Sequence, residues 1–434
     1  MRVPSPRVRL AQLGFREPSR AEACLAELPE ALHGLVDECA RSADPDTALQ
    51  MLVRLERAGI DLGDVLDDPE ARASLVRVLG GSLGIGEHLE RHAEDLDVAA
   101  RPAAPADAAT YRASMLGAVA AEDGATTMPR ERAVSAMRGR YRRHLTELVA
   151  WDLRLDDPAD FVHIVSAALA DLAAAALEAG LAIARSAARE RFGADADRVR
   201  LAIIDMGKAG ARELNYISDV DVIWVHEADD LEDPRATQVA TLLARETAAA
   251  CSQFQAAPPL WEVDSNLRPE GKDGALTRTL ASHVAYYDRW AKSWEFQALL
   301  KARFLAGDEV LGAAYEASVR SKVWESSSRE GFVESVQRMR ERVTEHIPAD
   351  EVGRQLKLGP GGLRDVEFTV QLLQLVHGAD DASLRQRGTL EALDALGLAG
   401  GVEGDGVEHE GLFGLGDDLA ADLGEEVGGG VVRV

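Results

Sequence analysis

Two aspartates one residue apart, Asp219 and Asp221, are the first candidates for chemistry in this chain of 434 residues. The apolar, β-branched segment 220–225 is predicted to form a strand. Because side chains alternate along a strand, both carboxylates are expected on the same side of it. Carboxylates placed in this way can hold one or two hard cations such as Mg²⁺. An Asp-x-Asp pair alone is more often a solvated strand end.

A glycine-containing turn precedes this pair. Residues 199–204 are predicted to be a buried strand, and Gly207 and Gly210 break it. The backbone N–H groups of such a turn can bind a phosphate, although a Gly-x-x-Gly sequence alone is usually just a turn. A metal-binding carboxylate pair and a phosphate-binding turn are together what nucleotidyl transfer requires.

A third carboxylate and three cations follow in the sequence. Asp264 ends a short strand predicted over 261–264, and a carboxylate from a neighbouring strand can complete a metal site; the alternative is an ordinary strand-edge carboxylate. Arg268 comes four residues later and could bind phosphate through two parallel hydrogen bonds. Lys301 and Arg303 lie near the end of one helix predicted over 282–304, as candidates for binding phosphate or an acidic partner. The aromatic stripe of this helix is more typical of a core than of a base-stacking platform.

The residues before this core are predicted to be helical. Apolar residues at helical spacing indicate short helices over 21–35, 46–58, 67–79 and 85–96. A turn is predicted at 79–82 and a loop at 101–106. His88 and His92 are four residues apart, but no third metal ligand lies nearby in the sequence, so we interpret them as surface histidines.

Longer helices are predicted over 129–153, 160–192, 230–250 and 309–348, and a new helix over 363–377. The first carries a basic patch, which we interpret as a solvated helix face, with a phosphate-binding face as the alternative; its members are Arg138, Arg140, Arg142 and Arg143. The second is rich in Ala and apolar nearly all round, which indicates burial, and Gly193 should end it. The third can cover the sheet.

Composition limits the class of protein. The formal net charge of −26 argues against non-specific binding to nucleic acid. Cys24, Cys39 and Cys251 form no C-x-x-C pair, which fits a reducing compartment. The sequence has no signal peptide pattern, and no apolar run is expected to reach the length of a membrane span. We therefore expect a cytoplasmic protein.

Several motifs in this order resemble the glutamine synthetase adenylyltransferase/adenylyl-removing enzymes, which belong to the polymerase-β-like nucleotidyltransferases. The resemblance covers roughly residues 70 to 398. Its motifs lie at 142–153, 207–221, 263–271, 294–303 and 357–368. Ala211 departs from the pattern, because the family often has a second glycine directly after the position of Gly210.

The resemblance implies an α+β fold, in which a nucleotidyltransferase core with a small mixed sheet is embedded in a mainly helical chain. It implies four parts: a helical module over 1–105, the nucleotidyltransferase domain over 106–350, the start of a helical domain over 351–398, and an atypical tail over 399–434. The tail is rich in Gly and acidic residues, so disorder is expected there. The chain matches the amino-terminal, deadenylating half of the family and so is expected to be truncated.

The reaction implied is phosphorolysis of the AMP on an adenylylated tyrosine of glutamine synthetase, which yields ADP. Asp219, Asp221 and Asp264 would be catalytic and would hold Mg²⁺. The resemblance gives phosphate or nucleotide binding to Gly207, Lys208, Gly210 and Ser218, together with the three cations already named. The implied partners are adenylylated glutamine synthetase, the PII signal protein, ATP or ADP, and phosphate.

Three alternatives remain open. The motif does not separate deadenylation from ATP-dependent adenylylation of the same tyrosine. The chain is alternatively a non-catalytic regulatory fragment that binds glutamine synthetase or PII. An uridylyltransferase relative is a weaker alternative, because the Leu-Arg-Pro-Glu-Gly stretch at 267–271 favours glutamine synthetase.

Overall fold

The computed structural model describes residues 5–155, 157, 159, 161–230, 232–329, 331–332, 338, 347, 354–359 and 361–397. The predicted fold class is confirmed, because helices dominate and the strands form small sheets, one of them mixed. The predicted domain boundaries stay predictions. The Gly-rich acidic tail, 399–434, lies outside the described residues.

The described α-helices, numbered α1 to α17, are Pro6–Gln12, Pro18–Glu27, Val36–Cys39, Pro45–Arg57, Gly63–Leu66, Pro69–Gly81, Leu83–Arg91, Leu96–Ala100, Ala108–Ala118, Arg130–Asp152, Val162–Phe192, Asp233–Ser252, Leu280–Arg289, Ser293–Leu299, Glu309–Trp324, Leu363–His377 and Thr389–Ala395. Short 3₁₀ helices lie at Glu30–Leu35, Ala93–Asp95, Gly193–Arg198, Gly271–Asp273, Ser326–Ser328 and Ala382–Leu384. The strands β1 to β7 are Ala121–Glu122, Ala125–Thr126, Val199–Asp205, Val220–Ala228, Val263–Asp264, Thr277–Thr279 and Arg303–Gly307.

The larger sheet has the order β5-β4-β3-β7, and β6 also pairs with β4. β3 is antiparallel to both β4 and β7, with Ile203 opposite Trp224 and Ile204 opposite Phe304. β6 runs parallel to β4. β3 and β4 are buried along almost their whole length, as their continuous β-branched sequences predicted.

The chain divides into two compact units. The first takes in residues up to 196 together with 214–219 and 242–263, and the second takes in 197–213, 220–241 and the residues from 264 on. The first unit has a core of aliphatic side chains from α1 to α8, with α4 and α6 at its centre. The second has a core in which β3 and β4 side chains pack with aromatic residues of α13 to α15.

The long helix α11 confirms the predicted buried helix and corrects another expectation. Gly193, with φ of 60°, ends it. The stretch Val162–Arg198 is long and apolar enough to cross a membrane by length and composition, so the expectation that no apolar run reaches that length is wrong. Most of the apolar stretch is buried inside the protein, which is also the pattern of a core helix.

Other boundaries differ from the sequence-based predictions. The turn expected at 79–82 is helical as far as Gly81, where α6 ends. The single helix expected over 282–304 is instead α13, α14 and the strand β7, so the predicted helical setting of Arg303 is wrong. α15 begins the helix predicted over 309–348 but ends at Trp324, and the 3₁₀ helix Ser326–Ser328 follows, so the prediction is wrong at this break. Most of the residues after 332 in that range lie outside the described part of the chain.

Candidate functional site

Three carboxylates come together where the sequence predicted a metal site. One oxygen of each of Asp219, Asp221 and Asp264 lies within 4.8 Å of the others. Asp219 is exposed, and Asp221 and Asp264 are half-buried. Asp221 lies on β4, and Asp219 directly precedes the first residue of that strand, Val220. Alternation along the chain therefore brings the two carboxylates together.

The position of Asp264 is fixed by β4 and by its own turn. The indole N–H of Trp224, which is fully buried on β4, donates to the hydroxyl of Ser265 at 2.9 Å. The carboxylate of Asp264 accepts the backbone N–H of Asn266 at 2.7 Å, which closes a local turn directly after β5. The third carboxylate is therefore held at the edge of the same strand that carries Asp221.

The turn between β3 and β4 is organised by Asp205, a residue that the sequence analysis missed. One oxygen of its fully buried carboxyl group accepts the N–H groups of Gly207 and Gly210, at 2.7 and 2.8 Å. Burial raises the pKa of Asp205 to about 7; the two N–H donors oppose this shift, and the nearby charge of Asp221 adds to it. A sequence clue was present, because Asp205 is an acid directly after a buried apolar run and before the glycines.

The N–H groups of the two glycines donate to Asp205 in this structure. The predicted phosphate contact of Gly207 and Gly210 stays a prediction. Lys208 lies half-buried in the same turn. Ser218 is half-buried, and its hydroxyl lies 3.5 Å from a carboxylate oxygen of Asp219.

The three cations predicted to bind phosphate contact protein groups in this structure, and their phosphate binding stays a prediction. Arg268 donates to the carbonyls of Ser265, Lys272 and Gly274 at 2.8 to 3.1 Å and so shapes the loop after β5. Arg303 donates to the carbonyls of Ala209 and Gly210 at 2.7 and 3.1 Å.

Lys301 is buried and pairs with Glu213 at 3.4 Å and with Glu367. Desolvation favours such pairing of a buried cation. The described contacts of Lys301, Arg268 and Arg303 therefore support the turn and the loop.

The basic patch on α10 is a solvated face only in part, because Arg140 is exposed whereas Arg138 is buried and Arg142 is half-buried. Arg138 is fully buried, and its guanidinium donates to the carbonyls of Ala249, Ala250, Gln253 and Ala257 at 2.7 to 3.4 Å. Arg142 donates to the carbonyls of two prolines, Pro258 and Pro259, both at 2.8 Å. These arginines satisfy the last carbonyls of α12 and the segment that leads to β5.

The histidine interpretation is wrong for His88, which is buried and hydrogen-bonded to Asp95 at 2.8 Å. Asp95 also accepts from Arg143 at 2.6 Å. In the aromatic stripe, Tyr287 and His283 are core residues as expected, whereas Trp290 is exposed.

The carboxylate group fits a divalent cation. Hard oxygen donors are the preferred ligands of Mg²⁺, whose metal–oxygen distance of about 2.1 Å puts opposite ligand oxygens about 4 Å apart. The observed separations, all within 4.8 Å, are compatible with one ion shared by the three side chains. The fold and this group place the chain among α+β proteins with a nucleotidyltransferase-like core.

Comparison with known proteins agrees with this class of fold and site. Residues 72–318 match the profile of glutamate-ammonia ligase adenylyltransferase, and residues 334–409 match that of GlnD PII-uridylyltransferase. The chain belongs to the glutamate-ammonia ligase adenylyltransferase family.

Three curated relatives are described as bifunctional glutamine synthetase adenylyltransferase/adenylyl-removing enzymes. The one from Leifsonia xyli subsp. xyli is 53% identical over 89% of this chain and 40% of its own length. The Streptomyces coelicolor protein is 47% identical over 91% of this chain and 39% of its own length. The Mycobacterium bovis protein is 43% identical over 90% of this chain and 37% of its own length. The chain therefore spans about 40% of the length of these relatives.

Proposed function

We propose that this chain is a nucleotidyltransferase that removes AMP from an adenylylated tyrosine of glutamine synthetase by phosphorolysis, in the control of nitrogen assimilation. The observation that carries the proposal is the group formed by Asp219, Asp221 and Asp264 at the edge of a small mixed sheet. Its relatives are named for both adenylylation and adenylyl removal on glutamine synthetase, and the proposal chooses the second reaction.

The bonds of this reaction balance without a further reactant. An oxygen of inorganic phosphate attacks the α-phosphorus of the adenylyl group, and the bond from that phosphorus to the tyrosine oxygen breaks. The products are ADP and the tyrosine hydroxyl, which takes the proton carried by the phosphate. A phenol oxygen, with a pKa of about 10 when free, is a tolerable leaving group.

The three aspartates would hold Mg²⁺, which supplies charge stabilisation at the transferring phosphoryl group when bound. Asp221 and Asp264 are oriented by β4 and by the Trp224–Ser265 hydrogen bond. Lys208, in the glycine turn, and Ser218, directly before Asp219, remain our candidates for contacts to phosphate or nucleotide. The buried Asp205 holds the glycine turn in shape from within the protein.

The proposal also covers the binding partners and the cellular location of the chain. Adenylylated glutamine synthetase, phosphate and ADP follow from the reaction. Regulation by the PII signal protein and a cytoplasmic location complete the proposal, together with exclusion of nucleic acid and membranes as partners. The negative charge of the chain supports the exclusion of nucleic acid.

The test combines the purified chain with adenylylated glutamine synthetase, Mg²⁺ and phosphate. ADP that forms only when phosphate is present supports the proposal. A reaction with unmodified glutamine synthetase and labelled ATP, run in parallel, measures the opposite direction. AMP transfer without phosphorolysis would replace the proposal with adenylylation.

A non-catalytic regulatory fragment is the second candidate. A fragment of this kind would form neither ADP nor AMP-labelled glutamine synthetase in this test. It would still bind glutamine synthetase or PII. The match of residues 334–409 to the uridylyltransferase profile lies outside all three carboxylates, so it does not favour uridylylation at this site.

A further inference from the structure

The second unit contains a cavity of about 230 Å³. Its lining includes none of the three carboxylates or the residues of the glycine turn. The lining combines apolar residues, among them Leu300, Val319, Val323 and Trp324, with charged residues. Apolar residues with a few convergent polar groups are typical of small-molecule sites, and this volume, below the about 300–1,000 Å³ of drug-sized pockets, suits only a very small ligand.

The charged residues of the lining are mostly cationic. Arg320, Arg385 and Arg387 line the cavity together with a single acid, Glu316. Glu316 pairs with Arg387 at 2.6 Å. Arg385 stacks over the ring of Trp324, with 5.3 Å to the ring centroid, and donates to the carbonyls of Gly378 and Ala379 at 2.7 and 3.1 Å.

Arg320 differs from the other two arginines. It is exposed on α15, and within the described part of the chain it makes no hydrogen bond or ion pair. An arginine that lacks a protein partner and faces a cavity with two further arginines attracts an anion, which it can bind through a fork of two N–H donors.

We propose that this cavity binds a small organic anion that carries one acidic group, such as a carboxylate, beside a planar apolar part. Arg320 binds the acidic group, and the planar part packs against Trp324 and the aliphatic residues of the lining. The three arginines outnumber the single acid of the lining and so disfavour a cation. The apolar residues of the lining disfavour a small inorganic ion that has no apolar part.

Hydrogen bonds connect the cavity to the glycine turn. Glu316, which lines the cavity, also accepts the backbone N–H of Phe304 on β7 at 2.7 Å. Arg387 donates to the carbonyl of Ala302 at 3.1 Å. Arg303, which holds the carbonyls of the turn, directly follows Ala302 in sequence. An anion that is bound at Arg320 and also attracts Arg387, a second arginine of the lining, would therefore change the support of the turn.

The probe is 4-fluorobenzoate, followed by fluorine NMR with metal removed by a chelator. Saturable line broadening with a Kd on the order of 1 mM is expected for so small a ligand. 4-Fluorobenzyl alcohol, which lacks the charge, and acetate, which lacks the ring, should bind at least about tenfold more weakly. No saturable binding of 4-fluorobenzoate, or equal binding of the alcohol, would overturn the proposal.

Matched variants locate the site. Arg320→Gln should weaken 4-fluorobenzoate binding about tenfold, because it removes the fork that binds the acidic group. Arg289→Gln, at an exposed arginine on α13 that does not line the cavity, should leave the affinity unchanged. Equal effects in the two variants would contradict the assignment.

Coupling to the turn has its own readout. Amide exchange of Phe304 should change when 4-fluorobenzoate is bound, and unchanged exchange at saturating ligand would overturn the coupling. Neither measurement uses nucleotidyl transfer, so this inference and the proposed function can fail separately.

Discussion

Gly207 lies directly against the carboxylate of Asp221. A Cβ atom at Gly207 would come within 2.1 Å of Oδ2 of Asp221 and 3.0 Å of its Cγ. The backbone N–H of Met206, the residue before this glycine, also donates to the carbonyl of Asp221 at 3.0 Å. The first glycine of the turn is therefore required for the position of a metal-site carboxylate.

Replacing Gly207 by Ala should displace the Asp221 side chain and leave the fold intact, because the blocking atoms belong to a side chain that can move. The affinity for Mn²⁺, measured by electron paramagnetic resonance as a substitute for Mg²⁺, should fall about tenfold or more. Gly139→Ala on α10 is the control, since a Cβ there meets nothing within 4 Å. Unchanged Mn²⁺ affinity in the Gly207 variant would contradict this relationship.

Gly210→Ala should act on stability. Its Cβ would come within 2.2 Å of the backbone carbonyl oxygen of Lys301, and backbone cannot swing aside. Overpacking of this kind costs about 1–3 kcal/mol of unfolding free energy, which urea denaturation would measure. Gly139→Ala, in a helix with open space, should instead gain about 0.5–1 kcal/mol. A Gly210 variant as stable as the wild type would show that the turn is looser than described.

Arg138→Ala should destabilise the first unit strongly. The substitution leaves four backbone carbonyls without their buried donor, and each unsatisfied buried group costs about 1–3 kcal/mol before relaxation. A loss of at least about 3 kcal/mol in urea denaturation is expected. Arg140→Ala is the matched control, because Arg140 is exposed on the same helix and donates to Ser114 at 3.0 Å. A similarly small loss of unfolding free energy in both variants would contradict the structural role of Arg138 and favour a solvated basic face on α10.

Asp205 should give stability a specific pH dependence. Its pKa in the folded protein is raised to about 7 from an ordinary value of 3.8, so the folded state binds more protons than the unfolded state between those pH values. Stability from this group is therefore full below pH about 4 and is lost as pH rises to about 7.

The variant Asp205→Asn removes this titration. The melting temperature of the variant minus that of the wild type, measured without metal from pH 5 to pH 8, should become more positive as pH rises. A difference that stays constant across this range would mean that Asp205 is ionised throughout.

Sequence reasoning worked where one residue pattern has one structural solution. β3 and β4 are continuous β-branched runs, and α10 and α11 are long helices without internal proline, so their neighbours did not alter them. The carboxylate group also follows from local geometry, since two of its members are fixed by strand alternation.

The rest depends on contacts distant in sequence. Arg303 lies on a strand because β7 pairs with β3, and nothing in the short segment around it has a helical or strand period strong enough to indicate this. Arg138 is buried because carbonyls more than a hundred residues away accept from it. Asp205 went unnoticed because an acid at a strand end is usually solvated, and only the folded turn shows the donors that bury it.

The most direct test of the central claim is the rate of phosphate-dependent ADP release from adenylylated glutamine synthetase by the wild-type chain and by Asp219→Asn. The wild type should release ADP only with phosphate and a divalent ion, and the variant should be slower by about 10³-fold with an unchanged melting temperature. Asp273→Asn, at an exposed aspartate outside the carboxylate group, should keep the wild-type rate. A wild-type rate in Asp219→Asn would contradict the assignment of nucleotidyl transfer to these carboxylates.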